Sequence, residues 1–128
     1  MGIRRGSTPE HTFTLPFVVP DGASLRIVYA QEDTMAPDGY RIILEKTEAD
    51  CSVSTDGGTT IIATTLSSDD TLRFDCNKHY NAGRAEVPAV FIQIGVETVD
   101  GRKMWSKEIK TTVKRCLRKD GVIKNVLL

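Results

Sequence analysis

Five Asp-Gly pairs divide the chain into short segments, and this spacing constrains the fold more than any other feature of the sequence. Glycine adopts positive φ without steric cost and aspartate tolerates it, so the pair is typical of tight turns. The pairs are Asp21-Gly22, Asp38-Gly39, Asp56-Gly57, Asp100-Gly101 and Asp120-Gly121. Between them apolar and polar residues alternate with a period of two, which predicts a meander of short β-strands.

Seven runs of alternating residues are predicted to form the strands. In the first run Phe13 and Phe17 share one face. In the last run Trp105, Ile109 and Val113 share one face, and we therefore expect Trp105 to fill the core. The seven runs lie within residues 11–17, 25–30, 40–47, 51–54, 59–66, 88–98 and 103–115.

One segment departs from the strand pattern. Ser67 and Asp70 have the spacing of a helix capping box, so a single helical turn is expected to cross between two sheets there. Seven short strands, tight turns and one helical turn predict an all-β fold, an immunoglobulin-like antiparallel β-sandwich. The predicted organisation is an N-terminal arm at residues 1–10, a sandwich domain at residues 11–116 and a C-terminal tail at residues 117–128.

The sequence contains no recognisable catalytic or metal-binding motif, and we expect neither an enzyme nor a cofactor. Its three cysteines form no C-x-x-C pair, and an odd count predicts reduced thiols rather than a disulfide framework. The two histidines, His11 and His79, stand at no zinc-site spacing. The neighbouring carboxylates Asp69 and Asp70 fit the first turn of a helix better than an acid–base pair.

Charge is distributed unevenly along a chain that is neutral as a whole. From Arg102 onward there are nine basic and two acidic residues, a net charge of +7, so the first 101 residues carry −7. This asymmetry predicts an anionic partner or an acidic neighbour, or pairing with acidic strands of the same sheet. Neutrality argues against strong nucleic-acid binding. Neither a membrane span nor a secretory signal is apparent, so synthesis in a cytoplasm is expected.

Two further segments are candidates for binding. The tail carries five apolar residues within its last seven, and such a segment is expected to dock on its own sheet or on a neighbouring subunit. These residues are Val122, Ile123, Val126, Leu127 and Leu128. The polar loop containing His79 and Tyr80, together with Trp105, is a candidate surface for a ligand such as a glycan.

Several pieces spread along the chain carry a family resemblance. They are Ile3-Arg4-Arg5-Gly6-Ser7-Thr8-Pro9, Thr12-Phe13-Thr14-Leu15-Pro16-Phe17, Val28-Tyr29-Ala30-Gln31, Leu44-Glu45-Lys46, Asp50-Cys51, Thr98-Val99-Asp100-Gly101, Lys114-Arg115-Cys116-Leu117 and Gly121-Val122-Ile123. Together they resemble small proteins encoded in prophages of Gram-positive gut bacteria. The chain departs from that pattern by longer insertions near residues 34–39 and 76–87.

The resemblance implies a virion component encoded among tail and baseplate genes. The implied role is a structural module of the tail, baseplate or a fibre, which binds other virion proteins and forms a homo-oligomer in a symmetric assembly. Its expected contacts involve sheet edges, Arg4, Arg5 and Phe13 near the N-terminus, and the apolar tail. Two alternatives remain open at this stage: a capsid decoration protein, and a module that binds a host glycan.

Overall fold

The alternating segments form strands in the computed structural model, which describes residues 2–75, 80–81, 84–85 and 89–114. Within these ranges there are eleven strands, one short α-helix and one 3-10 turn. The strands are β1 (Gly2–Arg4), β2 (Glu10–Leu15), β3 (Ser24–Glu32), β4 (Tyr40–Thr47), β5 (Cys51–Asp56), β6 (Thr59–Thr65), β7 (Tyr80–Asn81), β8 (Arg84–Ala85), β9 (Ala89–Glu97), β10 (Lys103–Trp105) and β11 (Ile109–Lys114). The helix α1 spans Ser68–Leu72, and the 3-10 turn spans Glu48–Asp50.

The strands form two main sheets and one small hairpin. The larger sheet has the order β1-β11-β9-β3-β4, with β10 also paired to β9, and the smaller sheet has the order β2-β6-β5. All neighbouring strands are antiparallel except β1, which runs parallel to β11. Consecutive strands β2 and β3 lie in different sheets, as in an immunoglobulin-like sandwich whose larger sheet carries an extra edge strand. The predicted fold class is therefore confirmed.

The core lies between the two sheets and draws one face from each. Along β3, Leu25, Ile27 and Tyr29 are buried, while the residues between them face outward. The same alternation along β2 buries Phe13, which is only 4% exposed. The prediction that Phe13 contributes to an intermolecular contact is therefore wrong, since its side chain packs inside the sandwich. The aliphatic and aromatic core also contains Ile3, Leu15, Ile43, Leu44, Ile62, Leu66, Phe74, Val90, Ile92, Ile94, Val96 and Val113.

The Asp-Gly pairs lie at turns, as their chemistry predicts. At the β5–β6 hairpin, Gly57 and Gly58 have φ values of 56° and 91°, and Gly101 at the β9–β10 hairpin has 91°. Side chains other than glycine rarely adopt such angles. The pair at residues 120–121 lies outside the described residues.

Helix α1 begins at the predicted capping box. The Ser67 hydroxyl accepts a hydrogen bond from the Asp70 backbone N–H at 3.0 Å, and the Asp70 carboxylate accepts one from the Ser67 N–H at 2.9 Å. The ammonium of Lys46 lies 2.7 Å from the same carboxylate. Burial would raise the pKa of Asp70, but the hydrogen bonds from Lys46 and Ser67 outweigh burial and hold the pKa below its ordinary value. Asp70 is thus a structural carboxylate.

The predicted N-terminal arm belongs to the sandwich. Its residues 2–4 form β1, and Ile3 is fully buried opposite Val113 of β11. The segment that follows is tied to α1, because the Thr71 hydroxyl accepts a hydrogen bond from the Gly6 N–H at 2.9 Å and donates one to the Ser7 carbonyl at 2.8 Å. A single buried apolar residue, supported by these bonds, is enough to dock a segment too short to show alternation.

Candidate functional site

Trp105 does not occupy the core, and its predicted position there is wrong. It is 55% exposed on the outer face of the larger sheet. Trp105 of β10 pairs with Gly95 of β9, whereas Ile109 of β11 pairs with Ile92 of β9. Four residue positions between Trp105 and Ile109 therefore lie opposite three positions on β9. This extra residue is a β-bulge, which reverses the phase of the side chains that precede it. Val113 therefore points into the core while Trp105 points outward.

The bulge is fixed by Ser106. Its backbone N–H donates to the Ile94 carbonyl at 2.8 Å, and its hydroxyl accepts from the Ile94 N–H at 2.9 Å. The side chain of Ser106 thus replaces a backbone acceptor at the point where the two strands lose register. Trp105 is consequently held at a defined place on the outer face.

Glycine at position 95 makes room for the indole. A Cβ placed on Gly95 would lie 2.6, 2.7 and 2.8 Å from three adjacent carbons of the six-membered ring of Trp105. Because these distances are nearly equal, the ring approaches the glycine with its face rather than its edge. An aromatic side chain that covers a glycine on the neighbouring strand is a known device for stabilising sheets. One face of the indole therefore rests on the sheet.

A cleft of about 390 Å³ lies beside Trp105. Its polar walls come from four strands of the larger sheet: Lys103 on β10 lies opposite Glu97 on β9, which in turn lies opposite Ser24 on β3. On the other side, the guanidinium of Arg26 lies 3.0 Å from the carboxylate of Glu45 on β4. The remaining lining residues are Leu25, Gly95 and Val96. An exposed aromatic ring thus borders charged side chains of both signs.

A second feature of the same sheet face is an apolar patch nearer its other end. Phe91, Ala30 and Ile42 form one row across three strands, since Ala30 lies opposite both of the others. Tyr40 packs edge-on against Phe91, with ring centroids 5.5 Å apart. Ile42 is 59% exposed and Tyr40 43% exposed. We call this patch, comprising Val28, Ala30, Tyr40, Ile42 and Phe91, the outer patch.

His11 and Tyr29 form a polar pair within the core. The Nδ1 atom of His11 lies 2.8 Å from the Tyr29 hydroxyl oxygen, and both side chains are buried. Burial lowers the pKa of His11, which favours the neutral imidazole, and raises the pKa of Tyr29. The pair has no opening to solvent that would suit a substrate, because His11 is only 2% exposed. Its role is structural.

The structure places the predicted contact residues as follows. Arg4 is exposed on the edge strand β1. Arg5 donates a hydrogen bond to the Leu72 carbonyl at 2.9 Å, so it ties the N-terminal segment to the end of α1 instead of projecting as part of a free arm. The backbone of Tyr80 pairs with that of Ala85 in the β7–β8 hairpin. The other predicted positions lie outside the described residues; they are His79, Val122, Ile123, Val126 and Leu127.

The described residues contain neither a cluster of metal ligands nor a membrane-spanning helix. Across residues 2–75, 80–81, 84–85 and 89–114, no three metal-ligating side chains converge. In those ranges, no helix is long and apolar enough to cross a bilayer. Of the three cysteines only Cys51 is described; it is a free thiol, and burial raises its pKa. The predicted reduced state of Cys76 and Cys116 stays a prediction.

Comparison with known proteins gives no functional relative. No protein family and no curated protein matches the chain. A solved structure of murine CRIg aligns with a TM-score of 0.34 and 10% sequence identity, covering 84% of this chain and 85% of that one. A similarity at this level carries no functional argument. The immunoglobulin-like assignment follows from the strand order of the two sheets.

Proposed function

We propose that the protein is a non-enzymatic structural module of a phage virion, which attaches at the tail, baseplate or a fibre and acts through contacts with other copies and other virion proteins. The resemblance of the sequence to prophage-encoded proteins supplies the virion setting. The observation that supports a role in assembly is the outer patch, an apolar and aromatic surface whose Ile42 and Tyr40 side chains are exposed. Such surfaces are typical of sites that bind another protein.

The chemistry of the outer patch suits a protein partner. Its centre is aromatic and aliphatic, while Lys110 borders it with its ammonium 5.9 Å from the Phe91 ring centroid. An apolar centre with a charged rim is the usual composition of protein interfaces. Burial of Ile42 and Tyr40 would remove two exposed apolar side chains of the outer patch from water.

The uneven charge of the chain adds a second argument. Acidic strands of the same sheet were one expected partner for the basic C-terminal third, and Lys103 does lie opposite Glu97. Lys110, however, lies opposite Phe91, and Lys114 lies opposite Arg4. Among the described strand pairs, no carboxylate lies opposite either lysine. A partner with an acidic surface, such as the acidic first part of another copy, would complement this basic edge and favour head-to-tail contact.

The test is the oligomeric state of the purified protein, measured by light scattering after size-exclusion chromatography over a range of concentrations. We expect an oligomer that Ile42→Glu dissociates, because a charge buried without a partner is strongly unfavourable. Val53→Glu is the matched control, since Val53 is similarly exposed at 46% but lies on β5 of the other sheet. A protein that stays monomeric throughout and is absent from purified particles would refute the proposal.

Two further measurements refine the assignment. Truncation after Leu117 removes the apolar tail and is expected to weaken association if that segment docks on a neighbouring subunit. A tail or baseplate module and a capsid decoration protein would both use the same kind of protein contact, so binding measurements do not separate them. Immunogold labelling of particles does, because it locates the protein on the tail, the baseplate or the capsid.

A further inference from the structure

We propose that the cleft beside Trp105 binds a neutral hexopyranose unit of a glycan, with the indole as the surface on which the sugar ring stacks. This binding activity is independent of the assembly role, since the cleft and the outer patch share no residue. A ligand in the cleft would leave the outer patch open to a protein partner.

The orientation of the indole supports a stacking role for Trp105. One face of the ring covers Gly95, and the side chain is nevertheless 55% exposed, so the opposite face is turned to solvent. A rigid aromatic face with water above it provides a flat apolar surface for the C–H groups on one side of a pyranose ring. The Ser106 bulge and the absence of a side chain at Gly95 hold that surface in place before any ligand arrives, which limits the entropy lost on binding.

The polar lining of the cleft suits the hydroxyl groups of a sugar. Glu97 and Glu45 offer carboxylate acceptors for sugar hydroxyls, and Arg26 and Lys103 offer donors. Pyranoses present adjacent hydroxyls that donate and accept at once, so a mixed set of acceptors and donors beside an aromatic ring matches them. The cleft volume of about 390 Å³ falls within the range of roughly 300–1,000 Å³ typical of small-molecule sites.

The balance of charge favours a neutral sugar over an acidic one. The two cations and two carboxylates of the lining cancel, and Arg26 is already paired with Glu45 at 3.0 Å. A sialic acid or sulfated sugar would gain no net attraction from this neutral lining, while its anion would lose hydration on entering the cleft, and this cost disfavours binding. The same argument disfavours the phosphates of a nucleic acid.

The experiment uses the single tryptophan of the full chain as its own reporter. The protein is titrated with methyl β-galactopyranoside, methyl β-glucopyranoside and N-acetylglucosamine, and in a separate arm with 3′-sialyllactose and a short oligonucleotide. Binding is followed by indole fluorescence and by calorimetry. Monosaccharide contacts of this size correspond to dissociation constants on the order of 1 mM, so titrations extend well above that concentration.

We expect saturable binding of at least one neutral sugar and weaker binding of both acidic probes. Trp105→Ala should weaken the calorimetric affinity roughly tenfold or more, and Trp105→Phe should retain part of it. Glu97→Gln should also weaken binding, since it replaces a charged acceptor. Met104→Ala is the matched control: it alters the neighbouring position on β10, whose side chain points to the opposite face of the sheet.

Three outcomes would overturn the proposal: no saturable signal with any neutral sugar, binding unchanged in Trp105→Ala, or binding confined to the acidic probes. Circular dichroism of each variant checks that the sandwich is intact. Because the probes are small sugars and the readout needs no second protein, failure here leaves the assembly proposal untouched. Conversely, a protein that binds sugar but stays monomeric and is absent from purified particles would refute assembly while supporting this site.

Discussion

The contact between Trp105 and Gly95 permits a sharp test of the outer face. Gly95→Ala would place a methyl group within 2.6–2.8 Å of three ring carbons, so the indole must move off the sheet. Gly95 does not have positive φ, and alanine is therefore compatible with its backbone. The perturbation acts on one packing contact and leaves the strand conformation alone.

The size of the effect follows from the area that the indole covers. A tryptophan side chain has about 250 Å² of surface, so the covered part, slightly less than half, is about 110 Å². Exposing all of it at about 25 cal/mol per Å² would cost at most about 3 kcal/mol. Replacing glycine by alanine within a strand returns about 0.5–1 kcal/mol. We expect Gly95→Ala to lower the free energy of unfolding by about 1–2 kcal/mol.

A double-mutant cycle isolates the contact. In a Trp105→Ala background the methyl group meets no ring, so Gly95→Ala should be neutral or stabilising by up to about 1 kcal/mol. Denaturant unfolding is followed by circular dichroism in all four proteins, and the emission maximum of Gly95→Ala should shift to the red as the ring enters water. Equal destabilisation in both backgrounds, or an unchanged emission spectrum, would refute the face-on packing.

Two other predictions concern the interior. Because burial lowers the pKa of His11 from its ordinary value of 6.5, the unfolded chain binds more protons than the folded one just below that pH. The contribution of neutral His11 to the free energy of unfolding is therefore fully present above about pH 6.5. It falls as the pH decreases toward the pKa of His11 in the folded protein, by at most about 1.4 kcal/mol per pH unit. A His11→Gln variant that kept the same pH dependence of unfolding would contradict this. Thr71→Val keeps the side-chain shape but removes the hydroxyl that holds Gly6 and Ser7, and should cost about 1–3 kcal/mol in urea unfolding. Thr71→Ser keeps the hydroxyl and loses only a buried methyl group, which should cost about 0.8 kcal/mol. A serine variant as destabilised as the valine variant would count against this tie.

The sequence predicts the strands of this fold well, because alternation and Asp-Gly turns are local signals. Each of the seven predicted runs overlaps at least one observed strand, and the capping box at Ser67 marks the start of α1. The parallel strand β1 could not be predicted, since three residues show no periodicity and their partner lies at the far end of the chain. Pairing between distant segments is set by packing, which no local pattern records.

The candidate site was harder to predict than the fold. Strict alternation from Trp105 to Val113 predicts that both side chains face the core. The bulge at Ser106 interrupts this alternation and turns Trp105 to the outer face. A serine followed by Lys107 and Glu108 in a run of β-formers is the only local hint of that irregularity. Phe13 shows the opposite error. Alternation correctly groups it with other apolar residues on one face of its strand, but this face packs in the core, where it is not accessible to another molecule. Periodicity groups residues by face without stating which face meets solvent.

The pairing of β1 with β11 has a consequence for how the domain is completed. Ile3 is buried opposite Val113, so its burial depends on a residue that follows it by 110 positions in the sequence. Closing so long a loop is entropically unfavourable until the intervening sheets exist, and contacts of this range are slow to form. On the ribosome, Ile3 therefore stays unshielded until β11 has been translated, and during this interval aggregation competes with folding.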